Sequence, residues 1–174
     1  LSKLSTNHID DLSSSRNEPD WLKDYRKNSL SIYDDMPIET SPLYNKYTDA
    51  KKMSPSKVSL STSTTQTIPK FLEKRLGELE NEICIIQIGT NIYKINLPDD
   101  LKSKGLVISS ISDAIKNDSE LVKKSLEASN SKEDKFTALN NAAFNSGIFI
   151  HIPRNLVVEK PIHFMICLSD DGHS

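Results

Sequence analysis

Between Phe136 and Phe164 the sequence reads FTALNNAAFNSGIFIHIPRNLVVEKPIHF, and within it the apolar period changes from helical to extended. Phe136, Leu139, Ala143 and Phe144 recur on one face of a helix, whereas Ile148, Ile150 and Ile152 alternate onto one face of a strand. Gly147 suits a helix end, and Pro153-Arg154-Asn155 and Lys160-Pro161 suit tight corners. The spacing predicts a helix over 132–145, capped by Ser131 with Glu133 and Asp134 in its first turn, then strands over 148–152, 156–158 and 162–168. Short strands with tight corners are what a coiled sheet requires.

Apolar residues are spread unevenly. The first 70 residues are dominated by Ser, Thr, Asn, Asp and Lys, and aliphatic runs concentrate after Ile83, so the compact part is expected in the second half. Residues 1–16 are polar and aperiodic and are expected to be loosely attached. Asn17 suits an N-cap and Pro19 a first turn, after which Trp21, Leu22, Tyr25, Ile32 and Tyr33 predict a helix over 18–34. From Pro37 to Pro69, four prolines and a Ser/Thr run from Ser59 to Thr67 predict an extended connector. Phe71 to Leu79 forms a short helix; ICIIQI and IYKINL around Gly89-Thr90-Asn91 form a hairpin. Ser112 is read as the cap of ISDAIK, and Asp118 or Ser119 as the cap of SELVKKSLEA. The expected division is an arm and connector over 1–70, a small α/β domain over 71–146 and the first turns of a solenoid over 147–174.

With 22 basic against 24 acidic residues, the net charge of −2 is not clustered, which argues against nucleic-acid and membrane partners. No apolar run approaches the roughly 20 residues of a bilayer span, and LSKLSTNHIDD has no signal-peptide core, so a soluble, cytoplasmic chain is expected. In that compartment Cys84 and Cys167 stay reduced. Their isolation gives no paired-cysteine metal spacing.

The candidate sites are few, and for most a structural role is the stronger reading. His163, Met165 and Cys167 alternate onto one strand face, with His151 a strand earlier, but no acid or second cysteine completes a ligand set. Asn140 falls on the apolar face of its helix, where a buried amide must be hydrogen-bonded, and backbone groups of the following strand are its expected partners. Trp21, Tyr25 and Tyr33 suit either a partner-binding stripe or inward packing. Asp170-Asp171-Gly172-His173 reads as an acidic turn. There is no nucleophile elbow and no Gly-rich phosphate loop, so no catalytic, cofactor-binding or metal residue is assigned.

Three patterns resemble the SufB/SufD family of the SUF iron-sulfur cluster assembly machinery. Glu18-Pro19-Asp20-Trp21 with Tyr25-Arg26 is similar to the family's N-terminal helix pattern, and the order of elements from Ile83 to Leu126 is also similar. The most specific is Phe136, Leu139, Asn140, Ala142, Gly147, Phe149, Ile150 and Pro153, and Val158 to His163 resembles the SufD branch. The resemblance implies a non-catalytic scaffold subunit, an N-terminal part of a longer chain, that partners SufB-like and SufC-like subunits, SufC being an ABC-type ATPase. It also implies an α+β region leading into a right-handed parallel β-helix, whose open end the 132–145 helix would cap with Phe136, Leu139 and Phe144, and whose last strand invites self-association. A carbohydrate-active or carbohydrate-binding β-helix module is the alternative on fold grounds.

Overall fold

The computed structural model describes residues 4–38, 68 and 70–167, and its architecture is α+β. Most of the connector, the Ser59–Thr67 run and Asp170–His173 lie outside the described residues. The chain divides into two compact units that interleave in sequence, one of 1–60 with 120–144 and the other of 61–119 with 145–174.

The first unit is helical. It holds α1 (Thr6–Arg16), α2 (Asp20–Asp35), α6 (Ser119–Ala128, which begins at its boundary) and α7 (Lys135–Ala143). Of the stretch 1–16, expected to be loose, Thr6–Arg16 instead forms α1, because its anchors are mainly polar and leave little apolar period to detect. Ile9 and Ser13 are buried, and Asp10 bridges Lys23 and Lys27 of α2 at 2.7 and 2.8 Å. Asn17 does not cap α2. It ends α1 in the left-handed region at φ 52°, which Asn tolerates better than most residues, and Pro19 opens α2. On α2, Leu22, Arg26, Ser29 and Leu30 are the buried stripe.

The helix predicted over 132–145 is shorter, and Asp134 rather than Ser131 caps it. Asp134 Oδ1 accepts from the N–H groups of Phe136 and Thr137 at 2.7 and 3.0 Å, and the Thr137 hydroxyl donates to Oδ2. These hydrogen bonds, the Thr137 hydroxyl first, hold the Asp134 carboxyl below its ordinary value of 3.8. A depressed carboxylate contributes stability above its unfolded value, and the contribution is lost as pH falls through the folded one. Asp134→Ala is therefore expected to cost about 1 kcal/mol near neutral pH, with the difference from the parent shrinking in denaturant melts below pH 3.8.

The second unit is built on β1 (Ile83–Ile88), all six residues of which are buried. β1 follows α3 (Lys70–Glu78) and pairs antiparallel with β2 (Asn91–Asn96), with an irregularity between Ile86 and Gln87. Gly89 takes φ 57° in the turn, which favours glycine there. On its other side β1 pairs in parallel with β5 (Ile162–Cys167), giving a three-stranded sheet in the order β2-β1-β5. One face packs Cys84, Ile86, Ile88 and Cys167 against Leu72 and Leu79. The opposite face packs Ile83 and Ile85 with Leu97, Leu106 and Ile108.

α4 (Asp99–Ser103) and β3 (Val107–Ser110) follow the hairpin, and β3 pairs antiparallel with β4 (Ile148–His151) in a separate two-stranded sheet. Between them α5 (Ile111–Asn117) is capped by Ser110, not Ser112, with the Asp113 N–H donating to the Ser110 hydroxyl at 3.0 Å.

This topology corrects the β-helix expectation. A coiled solenoid stacks successive strands in parallel, one turn above the last. Here β4 pairs with β3, β5 pairs with β1, and residues 156–158 form no strand. The alternation of Ile148, Ile150 and Ile152 identifies a strand face but carries no information about the partner. The capping role given to the 132–145 helix falls with it: α7 packs on α2, with Ala138, Asn141 and Ala142 buried and Phe136 and Leu139 only half-buried.

Candidate functional site

Arg26 is the most unusual residue of the first unit, because its side chain is 0% exposed. A buried guanidinium is costly unless every donor and the charge itself are matched. Glu18, whose side chain is 5% exposed, supplies the counter-charge, with Nε to Oε2 at 2.9 Å and Nη2 to Oε1 at 2.8 Å. This is the two-pronged geometry that arginine makes and lysine does not. Nη1 donates to the carbonyls of Ala142 and Phe144 at 3.2 and 2.9 Å, the C-terminal end of α7 where helix carbonyls lack internal partners. The Phe144 ring lies 4.0 Å from the guanidinium carbon. Ser13 of α1 donates to Glu18 Oε2 at 3.0 Å, so α1, α2 and the end of α7 meet at one charged knot.

A second polar cluster lies in the same unit. The Ser29 and Ser131 hydroxyls are 3.2 Å apart, and Asn141 Nδ2 donates to Ser131 at 2.8 Å and Ser129 at 3.2 Å. The Tyr25 hydroxyl donates to the Leu126 carbonyl at 3.2 Å, and burial pushes its phenol above the ordinary value, opposed by the Ser131 and Ser129 hydroxyls. Lys135 Nζ donates to the carbonyls of Tyr33 and Met36, closing the C-terminal end of α2, and lies 4.3 Å from the centre of the Tyr33 ring.

The residues singled out in the sequence divide accordingly. Tyr25 and Tyr33 pack within the first unit. Asn140 is exposed, and the buried amide is its neighbour Asn141. His163, Met165 and Cys167 share a face of β5, in register with Cys84, Ile86 and Ile88 of β1, and Met165 and Cys167 pack in the apolar cluster beneath Leu72 and Leu79. His151 lies in the other sheet, opposite Val107. Among the described residues no group of three or more His, Cys, Asp or Glu is arranged to hold a metal ion. Both cysteines are free and buried.

Ser13, Lys135 and Asn141 were not flagged by sequence reasoning. A signal for the knot was present: Arg26 stands on the face of α2 between Leu22 and Leu30, which is where an unmatched cation is not tolerated.

Glu18, Tyr25, Arg26 and Ala142, all members of the patterns quoted above, are thereby brought into one helical unit. A family model described as the SufBD protein N-terminal region matches residues 13–164, which include the whole knot. The chain belongs to the SufBD family. It is similar to the iron-sulfur cluster assembly protein SufD of Bacillus subtilis, 29% identical over 168 residues that make up 92% of this chain. An iron-sulfur cluster assembly SufBD family protein of Staphylococcus aureus strain USA300 is 27% identical over 171 residues, 91% of this chain. The chain spans 38% and 37% of the lengths of these two relatives. The described residues contain no helix long and apolar enough to cross a membrane.

Proposed function

We propose that this chain is the N-terminal part of a SufD-like scaffold subunit, cytoplasmic and non-catalytic, that acts with a SufB-like subunit and a SufC-like ABC-type ATPase. The observation that carries the reading is the family match over 13–164; within it the buried Glu18–Arg26 pair is turned inside the fold onto helix carbonyls rather than toward a substrate. Cys84 and Cys167 support the same reading, since both are packed in the apolar cluster under α3. Thiolate ligation there would require opening that cluster.

A pull-down from cells expressing the full-length protein that carries this region tests the partnership: a complex containing the SufB-like and SufC-like subunits is expected, and recovery of the protein without either would overturn it. Cluster binding by this region has its own test. Anaerobic reconstitution of the chain is expected to leave no stoichiometric iron and no visible charge-transfer absorption, and iron that disappears in Cys167→Ala would overturn the purely structural role of that face of β5.

A further inference from the structure

The contacts that hold α1 and α2 to the rest of the first unit include hydrogen bonds spanning 101 to 118 residues of sequence. Tyr25 donates to the Leu126 carbonyl, Arg26 to those of Ala142 and Phe144, and Ser29 meets Ser131. Lys135 reaches back to the carbonyls of Tyr33 and Met36. A small apolar cluster of Ile9, Leu30 and Ala142, edged by Leu4 and Tyr33, accompanies them. Hydrogen bonds of this kind exchange for bonds to water when the elements part, so the net free energy each adds to docking is small.

The position of the counter-charge matters most. Glu18 and Arg26 both belong to the α1–α2 hairpin, together with Ser13, which donates to Glu18. Parting from α7 therefore leaves the Glu18–Arg26 pair intact. What the knot loses is the hold on two carbonyls and the contact with the Phe144 ring, and Lys135 gives up its two carbonyls at the end of α2 to water. β1 differs in kind: all of its residues are buried and it is paired on both edges, so exposing it requires dismantling the sheet.

We propose that the α1–α2 hairpin is a releasable clasp, docking on and leaving α6–α7 as one body with its Glu18–Arg26 pair intact, and that release uncovers the Ala142–Phe144 end of α7. Such sub-global opening is the normal behaviour of supersecondary units that dock and part as one body. The inference does not depend on the SUF partnership, and a failed pull-down leaves it standing.

Hydrogen exchange read by mass spectrometry on the chain, at increasing but sub-denaturing urea, tests it. The amides of α1 and α2 are expected to exchange together, through an opening that leaves β1 protected. Lys135→Met, which removes two bonds to the end of α2, is expected to speed exchange in both helices by roughly tenfold or more, with β1 unchanged. A Ser29→Cys/Ser131→Cys variant supplies the opposite perturbation, since the parent hydroxyls are 3.2 Å apart. Its disulfide is expected to abolish the early opening and its reduction to restore it. Exchange of α1, α2 and β1 in one cooperative step, or separate exchange of α1 and α2 that the cross-link does not slow, would overturn the clasp.

Discussion

Arg26→Ala is expected to destabilise the first unit by about 3 to 5 kcal/mol, among the largest effects of any single substitution in the chain. The cause is not the loss of an attraction but what is left behind. Glu18 stays buried with its counter-charge removed, and the carbonyls of Ala142 and Phe144 lose their donor. Arg26→Lys is expected to recover only part of the loss, because an ammonium cannot serve both Glu18 oxygens and the α7 carbonyls from one planar group. Replacing both charges, as in Arg26→Met with Glu18→Leu, is expected to be far milder than the sum of the single changes, since well-packed apolar pairs often replace buried ion pairs without loss. Urea melts followed by the fluorescence of Trp21, the single tryptophan, report on this unit. Additive single effects in that cycle would show that Glu18 and Arg26 do not act as a pair.

The knot also shows where sequence reading reaches and where it stops. The hairpin at 83–97, α2 and the helix before Gly147 are legible because each has the apolar period of its own element. α1 is not, because Asp10 and Ser13 hold it through ionic and hydroxyl contacts that leave no such period. Asn17 and Ser112 show a subtler limit. Each is a capping residue type beside a real helix end, but Asn17 ends α1 in the left-handed region while Ser110, two positions earlier than Ser112, opens α5. Residue type marks the neighbourhood of a cap; backbone geometry decides which residue takes it.

Strand partnership was the larger failure, and its reason is physical. Ile162 to Cys167 has the alternation of a strand in any sheet, and a local period cannot distinguish pairing with the preceding strand from pairing with β1, almost eighty residues earlier in the chain. The informative signal was in β1 itself. ICIIQI is apolar on both faces, which marks a central strand needing a neighbour on each edge, and the hairpin supplies only one.

That central position makes the second large effect predictable. Ile85→Ala and Ile86→Ala are each expected to cost about 2 to 5 kcal/mol, because both side chains are fully buried and lie in the clusters on opposite faces of the sheet. Phe164 pairs with Ile85 in the β1–β5 register, yet it is 51% exposed, so Phe164→Ala is expected to cost only about 1 kcal/mol, well below Ile85→Ala. The contrast separates burial from strand membership: the two residues are neighbours on adjacent strands, and only one is fully covered. Denaturant melts followed by far-ultraviolet circular dichroism, with β1 amide exchange as the local readout, measure all three. A loss for Phe164→Ala as large as that for Ile85→Ala would mean that this face of β5 is packed, and the three-stranded sheet described here would no longer account for the second unit.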